Sequence, residues 1–315
     1  AAELSHLIYL QNPGNSADSG DSQHIRSREW PRLILPMTKD RGSYIRVFFA
    51  DFNGDGIPEV VAANKGSQTP GPEDYKKKTP VMVYQVVGNP LDDNGWSELE
   101  LVRFVIPQNS EPVDIDGDGD LDIIVGSRGE NRLVLFENTG DRYSDRGLHF
   151  EERAIAIEGA QLAGFNLDYT DLNNDGRLDI IGAGGRSLRD LMWIEQPQSL
   201  NEQWKAHHIG TVSPDIIVGL GIADIDGDGN IDVITGGYSS GSRTGDGDIS
   251  VDDSLGRISW FQNPGNEAAD WVRHDISRRK RGMFDKFIGR DRDGDGDIDF
   301  IATRGNSAPF DGVFW

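Results

Sequence analysis

Residues 114–122 read DIDGDGDLD, an acidic stretch in which carboxylates recur at every second position and glycines separate them. Four other stretches repeat this pattern: DFNGDGIPE from Asp51, DLNNDGRLD from Asp171, DIDGDGNID from Asp224 and DRDGDGDID from Asp291. Their starting positions are 63, 57, 53 and 67 residues apart. A pattern that returns at this period predicts a chain built from successive copies of one supersecondary unit.

The residues around each acidic stretch predict β-strands. An apolar run leads into the stretch, as in residues 216–223, and a second apolar run leaves it, as in residues 231–236. A third run carries aromatic residues, as in residues 258–261, and a fourth begins with tryptophan, as in residues 271–276. No long segment has the 3.6-residue apolar period of a helix. We therefore expect an all-β protein, a β-propeller in which each repeat is one four-stranded blade.

The two ends of the chain bear on the number of blades. Residues 6–10 resemble a third strand, and so do residues 312–315. We interpret residues 1–36 as the outer half of an incomplete first blade whose inner half lies before Ala1. On this interpretation residues 1–315 form a single β-propeller domain of about six blades, with five or seven as alternatives.

Composition excludes several classes of protein. The 315 residues include 31 basic and 53 acidic side chains, a net charge of −22, which argues against nucleic acid as a partner. There is no cysteine, so disulfides and thiolate metal sites are unavailable and any metal must be bound by oxygen. No apolar run approaches the roughly 20 residues of a membrane-spanning helix, which argues against membrane insertion. No basic and then apolar leader opens the sequence, so we expect it to begin after any signal peptide or inside the protein.

The acidic stretches, hereafter the first to fifth Asp loops, suit calcium. Calcium takes about six to eight hard oxygen ligands in flexible geometry, and side chains at every second loop position can supply them. We expect side-chain ligands at loop positions 1, 3, 5 and 9 and a backbone carbonyl at position 7, for about five calcium ions. The predicted ligands, loop by loop, are Asp51, Asn53, Asp55, Ile57 and Glu59; Asp114, Asp116, Asp118, Asp120 and Asp122; Asp171, Asn173, Asp175, Arg177 and Asp179; Asp224, Asp226, Asp228, Asn230 and Asp232; and Asp291, Asp293, Asp295, Asp297 and Asp299.

An EF-hand begins with the same pattern but differs further along. It requires a bidentate Glu at position 12 and helices on both sides of the loop. The predicted flanks here are strands. Position 12 is occupied by residues that cannot act as that ligand: Ala62, Val125, Gly182, Thr235 and Ala302. The remaining alternative to a calcium site is an acidic turn without metal.

The loops resemble the FG-GAP/VCBS repeats found in the propellers of integrin α-subunits and in many bacterial and fungal secreted proteins. Two further signatures, WFQNPG at residues 260–265 and W-x-x-H-x-I at residues 271–276, are closer to bacterial VCBS proteins and to the propeller of fungal aldos-2-ulose dehydratase. The resemblance implies calcium in the loop between the first and second strands of each blade, where it is usually structural. It also implies an extracellular, cell-surface or periplasmic location.

Basic residues recur on the side of the blades that we expect to lie opposite the Asp loops. They follow the second strand, where arginine suits recognition of carboxylate or sulfate groups because its planar fork donates two parallel hydrogen bonds. Tyr238 takes this place in the fourth repeat, and Tyr44 lies on a neighbouring loop. The predicted ligand-binding residues are Lys65, Arg128, Arg186, Arg304, Tyr44 and Tyr238. Further basic residues expected on the same side are Lys39, Arg41, Lys76, Lys77, Lys78, Arg278, Arg279, Lys280 and Arg281.

Three functions are compatible with these patterns. The first is a binding module that holds an acidic polysaccharide or a protein ligand on the basic side. The second is a carbohydrate-active enzyme, a polysaccharide lyase or a dehydratase similar to the aldos-2-ulose enzyme, for which Tyr44, Tyr75 and Tyr238 are candidate bases. The third is a structural subunit of a surface assembly. The sequence contains no nucleophile elbow, phosphate loop or zinc-binding helix and assigns no catalytic residue.

Overall fold

The structure is a computed structural model that describes residues 5–12, 29–140, 147–184, 188–213, 215–239, 258–266, 269–277, 282–305 and 312–314. Within these ranges the regular structure is β-strand, apart from short 3-10 turns at Pro36–Thr38 and Asp74–Lys76. The prediction of an all-β protein is thus confirmed for the described residues. Among them there is also no helix with the length and hydropathy needed to cross a bilayer.

The first three repeats form sheets in which neighbouring strands follow chain order. Each of the three holds four antiparallel strands, and the third adds a short strand parallel to its outer edge. The first sheet consists of β3 (Tyr44–Ala50), β4 (Glu59–Asn64), β5 (Thr79–Val86) and β6 (Trp96–Phe104). The second consists of β7 (Pro107–Val113), β8 (Asp122–Ser127), β9 (Arg132–Asn138) and β10 (Phe150–Ala154). The third consists of β12 (Leu162–Thr170), β13 (Asp179–Gly184), β14 (Asp190–Glu195) and β15 (Trp204–Thr211), with β11 (Ile157–Glu158) beside β15.

The fourth and fifth repeats share one seven-stranded sheet. Its two halves meet through a parallel contact between β16 and β20, in which Leu220 is opposite Lys286. The fourth repeat contributes β16 (Ile216–Ala223), β17 (Asp232–Ser239), β18 (Ile258–Gln262) and β19 (Val272–Ser277). The fifth contributes β20 (Gly282–Arg290), β21 (Asp299–Gly305) and β22 (Gly312–Phe314). A separate hairpin pairs β1 (Ile8–Leu10) with β2 (Arg32–Ile34).

Two compact units make up the chain. One contains residues 1–114, 119–130 and 134–152, and the other contains residues 115–118, 131–133 and 153–315. In the first unit, Val61, Val83 and Val125 belong to one buried cluster. In the second unit, Ile181, Leu220 and Phe261 belong to another. The assignment of residues 1–315 to one domain, with residues 1–36 as half of an incomplete blade, stays a prediction.

The strand that leaves each Asp loop places the loop against the core. In the first two sheets this strand, β4 or β8, is buried along its whole length. Each such strand begins at loop position 9, so a carboxylate is carried into the protein interior at its first residue. Four of these carboxylates are fully buried: Glu59, Asp122, Asp179 and Asp232.

Candidate metal centres and basic residues

The Asp loops form tight turns that depend on backbone conformations with positive φ. Gly117 and Gly119 in the second loop have φ values of +74° and +95°, a region that glycine enters without steric penalty. In the third loop Asn174 replaces the first of these glycines and has a φ of +59°. Asparagine is one of the few other residues that adopt this conformation readily. In the first loop the side chains at positions 1, 3 and 5 all accept hydrogen bonds from backbone N–H groups of the loop itself.

The carboxylate at position 9 is held by backbone N–H groups from two segments. Asp232 Oδ2 accepts a hydrogen bond from Ile225 N at 3.0 Å, and its Oδ1 accepts one from Asn263 N at 2.7 Å. The third loop repeats this pattern, since Asp179 accepts bonds from Leu172 N at 3.1 Å and from Gln196 N at 2.9 Å. Such hydrogen bonds favour the ionised carboxylate because both of its oxygens act as acceptors.

The surroundings of these carboxylates oppose that ionisation. The pKa of Glu59 and of Asp179 is raised to about 7 and that of Asp232 to about 6, mainly by burial and in smaller part by the neighbouring loop carboxylates. The hydrogen bonds therefore favour the ionised carboxylates, but burial and the neighbouring negative charges oppose ionisation more strongly. A bound cation would resolve this conflict, because an opposite charge nearby favours the ionised form.

The second and fourth loops have the oxygen arrangement that best suits a bound cation. Asp114 and Asp224, at position 1, each have a buried Oδ1 with no hydrogen-bond partner, while the Oδ2 of each accepts a bond from a loop glycine. Oxygens of three carboxylates lie within 4.8 Å of one another in each of these loops and in the fifth. The three sets are Asp114, Asp116 and Asp122; Asp224, Asp226 and Asp232; and Asp291, Asp293 and Asp295.

The first and third loops have asparagine at position 3. In these loops both oxygens of the position-1 carboxylate accept hydrogen bonds from backbone N–H groups. In the third loop Asp171 accepts bonds at both oxygens, from Asp175 N at 2.9 Å and from Gly176 N at 2.8 Å. The guanidinium of Arg177 also forms an ion pair with Asp175. Asp51 in the first loop likewise accepts two backbone bonds, at 3.1 and 2.9 Å. These two loops hold fewer carboxylates, and their oxygens are already engaged.

Position 7 contributes its backbone N–H to the loop itself. Ile57 N donates to Asp55 at 2.7 Å, and Asn230 N donates to Asp228 at 2.8 Å. The same bond is made by Arg177 and by Asp297. The expected role of the position-7 carbonyl as a metal ligand stays a prediction.

Two amide side chains connect Asp loops with strands of the following repeat, a feature that the sequence analysis did not identify. Asn138, at the end of β9, donates from Nδ2 to the carbonyl of Phe52 in the first loop at 2.8 Å. Gln196, after β14, donates from Nε2 to the carbonyl of Ile115 in the second loop at 2.7 Å. In the sequence, Asn138 comes sixteen residues after Asp122 and Gln196 seventeen residues after Asp179. In both cases the backbone N–H of the amide residue donates to that position-9 carboxylate, and this spacing is the signal that could have identified the pair.

Lys65 and Arg128, which follow the second strands of the first and second sheets, are electrostatic neighbours. Burial lowers the pKa of Lys65, and the positive charge of Arg128 lowers it further. Backbone hydrogen bonds hold both segments: Lys65 N donates to Ser43 O at 2.9 Å, and Arg128 N donates to Ile106 O at 3.1 Å. The two residues belong to the same compact unit, and their charges affect each other.

The other predicted ligand-binding residues have different surroundings. Arg304 is only 8% exposed, and its guanidinium lies 5.6 Å from the centre of the Phe284 ring. Tyr238 pairs with Met283 at the start of β20, next to the pairing of Phe284 with Arg304, so Tyr238 and Arg304 lie at the same end of this sheet. The remaining two predictions have no common location: the Tyr44 hydroxyl lies 3.1 Å from that of Tyr84, and Arg186 lies outside the described residues.

Several of the additional basic residues are paired with carboxylates. Arg41 forms two hydrogen bonds with Glu98, at 2.7 and 2.9 Å, and these bonds raise its pKa. Lys76 lies 2.6 Å from Glu73, and Lys78 lies 3.6 Å from Glu130. Residues 240–257 and 278–281 fall outside the described residues. Lys65 and Arg128, by contrast, are two cations whose charges affect each other.

Comparison with known proteins finds a repeat family. A model of the FG-GAP-like repeat matches residues 114–182 and 171–235, which contain the second, third and fourth Asp loops. No curated protein matches the sequence. Among solved structures, a lectin of Agrocybe aegerita described as recognising non-reducing terminal N-acetylglucosamine is 14% identical, with a TM-score of 0.36 over 83% of this chain and 75% of the lectin chain. A likeness this weak supports no conclusion about this chain.

Proposed function

Since the chain contains FG-GAP-like repeats, we propose that it is a calcium-binding β-propeller that acts outside the cytoplasm as a binding module for acidic polysaccharide. In this proposal the Asp loops bind calcium and stabilise the blades, while Lys65 and Arg128 bind a carboxylate group of the ligand. The single observation that carries the ligand class is the pairing of these two cations in a protein whose net charge is −22.

The calcium part of the proposal rests on the chemistry of the loops. Carboxylate and amide oxygens are ligands that calcium prefers, and the unpartnered oxygens of Asp114 and Asp224 face clusters of further carboxylates. Bound calcium would supply the positive charge that the buried carboxylates of the same loops lack. The position-9 side chains would keep their backbone hydrogen bonds and act as ligands in the ionised form.

The propeller part of the proposal rests on the repeated sheets. The four complete repeats each supply four strands in chain order, and the fifth supplies three. This is the strand pattern of propeller blades, and about six blades follow if residues 1–36 belong to an incomplete blade.

The ligand part rests on the cost of keeping two cations together. Like charges held close to each other disfavour the charged forms, and an anion bound between them removes that penalty. Arg128 is exposed and offers the bidentate geometry that carboxylates prefer, while Lys65 supplies a compact second charge. A uronate polymer presents carboxylates in series and neutralises both cations. A protein ligand with an acidic surface would use the same chemistry and is the alternative that the binding experiment distinguishes.

The test measures binding of polygalacturonate and of neutral dextran to the calcium-loaded protein by isothermal titration calorimetry. We expect polygalacturonate to bind and the Arg128→Gln variant to lose about tenfold in affinity or more, because a charge-assisted bond contributes about 1.5–3 kcal/mol. Arg103→Gln is the matched control, since it removes one arginine that pairs with Glu100 on the same strand.

Three results would contradict this proposal. If Arg128→Gln and Arg103→Gln bind polygalacturonate with equal affinity, Lys65 and Arg128 do not form the binding site. If polygalacturonate does not bind at all, the ligand at this site is a protein instead. Release of unsaturated uronate, followed by ultraviolet absorbance, would instead show that the protein is a lyase.

A further inference from the structure

The third and fourth repeats of the second unit border an open cleft of about 770 Å³. Its volume falls in the range of about 300–1,000 Å³ that is typical of small-molecule sites in proteins. The third repeat contributes residues of its Asp loop and of β15, and the fourth contributes the segment between β18 and β19. Its lining includes Asn173, His207, Asn230, Asn266, Trp271 and the carboxylate of Asp270.

Among the described residues, the amide connection found between the earlier repeats is absent from the junction that holds the cleft. Asn138 and Gln196 each reach a carbonyl of the preceding Asp loop. Asn263 is the equivalent residue in the fourth repeat, since its backbone N–H donates to the position-9 carboxylate of Asp232. Its Nδ2 donates instead to Ile231 O of its own loop, at 3.1 Å. In the described part of the chain, Asn263 makes no bond to the third Asp loop, and the space between them forms the cleft.

The shape of the cleft is supported from both sides. On the side of the third repeat, the His207 ring stacks on Trp193 with centroids 4.0 Å apart and planes 9° from parallel, and His207 Nε2 lies 2.8 Å from Glu195. On the other side, Gly265 has a φ of +67°, and a Cβ at this position would lie 2.8 Å from Asn230 Nδ2. The turn after β18 therefore packs directly on the fourth Asp loop. A cleft with walls fixed in this way needs little rearrangement to accept a ligand.

The lining indicates the chemical class of that ligand. Asn266 supplies an exposed amide group. Asn173 and Asn230 also line the cleft; each uses one N–H of its amide to donate to Asp175 or Asp228 of its own loop, at 3.2 and 3.0 Å, and retains a second N–H. Trp271 is partly exposed and adds a flat apolar surface. Among the described lining residues there is no lysine or arginine, in contrast to Lys65 and Arg128. Pyranose sugars have hydroxyl groups along their edges and C–H groups on their faces, which match amides and an aromatic ring respectively.

We infer that this cleft is a binding site for a neutral oligosaccharide, separate from the cationic residues that we propose to bind acidic polysaccharide. The sugar ring packs on Trp271, and its hydroxyl groups exchange hydrogen bonds with Asn266 and accept them from the remaining N–H groups of Asn173 and Asn230, whose oxygens stay with the Asp loops.

The test titrates the calcium-loaded protein with neutral trisaccharides of glucose, mannose, galactose and N-acetylglucosamine and follows tryptophan fluorescence and heat. We expect at least one trisaccharide to bind, and Trp271→Ala to weaken its binding about tenfold or more, since aromatic residues dominate such contacts. Asn266→Ala, at an exposed position, should weaken it several-fold without affecting the melting temperature. Trp30→Ala is the control, because it removes a tryptophan that lies outside the cleft.

Two further variants separate binding from folding and from the first proposal. Trp271→Phe retains an aromatic ring in the same packing and should retain measurable binding. Arg128→Gln should bind the trisaccharide with unchanged affinity. The inference is overturned if no neutral trisaccharide binds, if Asn266→Ala and Trp271→Ala bind as well as the unchanged protein, or if the cleft takes a peptide instead. A protein that binds polygalacturonate but no trisaccharide would overturn this inference alone.

Discussion

At the scale of single residues, the Asp loops differ in how many oxygens they leave for a cation. Asp224 has a buried oxygen without a partner, whereas both oxygens of Asp171 already accept backbone bonds. In the third loop the guanidinium of Arg177 also forms an ion pair with Asp175 and so competes with a metal for that carboxylate. Because fewer carboxylates and a competing cation weaken calcium affinity, we expect the second and fourth loops to bind most tightly and the third to bind most weakly.

Calorimetric titration of metal-free protein with calcium tests this order. Asp224→Asn should lower the calcium affinity of the fourth loop, one of the two tight sites, by about tenfold or more. Asp171→Asn should change only the binding of calcium to the weak third loop. Arg177→Ala should strengthen the weakest site. Identical isotherms for Asp224→Asn and the unchanged protein would show that the unpartnered oxygen is not a ligand.

The buried position-9 carboxyls predict how metal-free protein responds to pH. A carboxyl whose pKa is higher in the folded protein than in the unfolded chain stabilises the fold at low pH, and this contribution is lost as pH rises through the folded value. With pKa values raised to about 7 for Glu59 and Asp179 and to about 6 for Asp232, the loss runs from about pH 4 to about pH 7. For each of these carboxyls, one unit of difference between its folded and unfolded pKa corresponds to about 1.4 kcal/mol of unfolding free energy.

Melting temperatures measured in chelator between pH 4 and pH 7 should therefore fall with increasing pH. Glu59→Gln should reduce the slope, because it removes one of the titrating groups. In excess calcium the fall should disappear, since the ion compensates the negative charges. A melting temperature that stays constant in chelator across this range would disagree with the raised pKa values.

At the scale of strands and loops, the amide connections link the stability of neighbouring repeats. Asn138 and Asn263 both donate to a carbonyl at the end of their own Asp loop, Leu121 O at 3.3 Å and Ile231 O at 3.1 Å, but only Asn138 also reaches the preceding loop. The two residues thus form a matched pair that differs by one buried hydrogen bond.

Alanine at each of the two positions isolates the contribution of that bond. Asn138→Ala leaves the buried carbonyl of Phe52 without this donor, and loss of a buried partner costs about 1–3 kcal/mol. We expect its free energy of unfolding in urea to fall by about 1 kcal/mol more than that of Asn263→Ala. Equal losses would mean that the connection between repeats contributes nothing to stability.

Across the whole chain, the sequence was sufficient to predict the strands and Asp loops that the repeats share. It was not sufficient to predict the contacts in which one repeat differs from the next. The five acidic stretches were sufficient to predict strand order, because each strand and turn has its own local pattern. The unlike behaviour of Gln196 and Asn263 could not be predicted, because it depends on which carbonyl each amide meets in three dimensions. The burial of Arg304 beside Phe284 was missed for the same reason: residues with the same place in the repeat need not have the same environment.

The last prediction concerns the response of the whole chain to calcium. A ligand that binds only the folded state stabilises it by about 2.7 kcal/mol per site at a concentration of 100 times its Kd. With an Asp loop in each of five repeats, the contributions of several sites add, so we expect the melting temperature to rise steeply and to continue rising after the tight loops are filled. Magnesium is the control, because it demands a smaller octahedral site and loses its water reluctantly. Since Asn173 and Asn230 line the oligosaccharide cleft from two of these loops, chelation should also weaken trisaccharide binding. A melting temperature that is the same in calcium, magnesium and chelator would leave the loops as acidic turns without a metal.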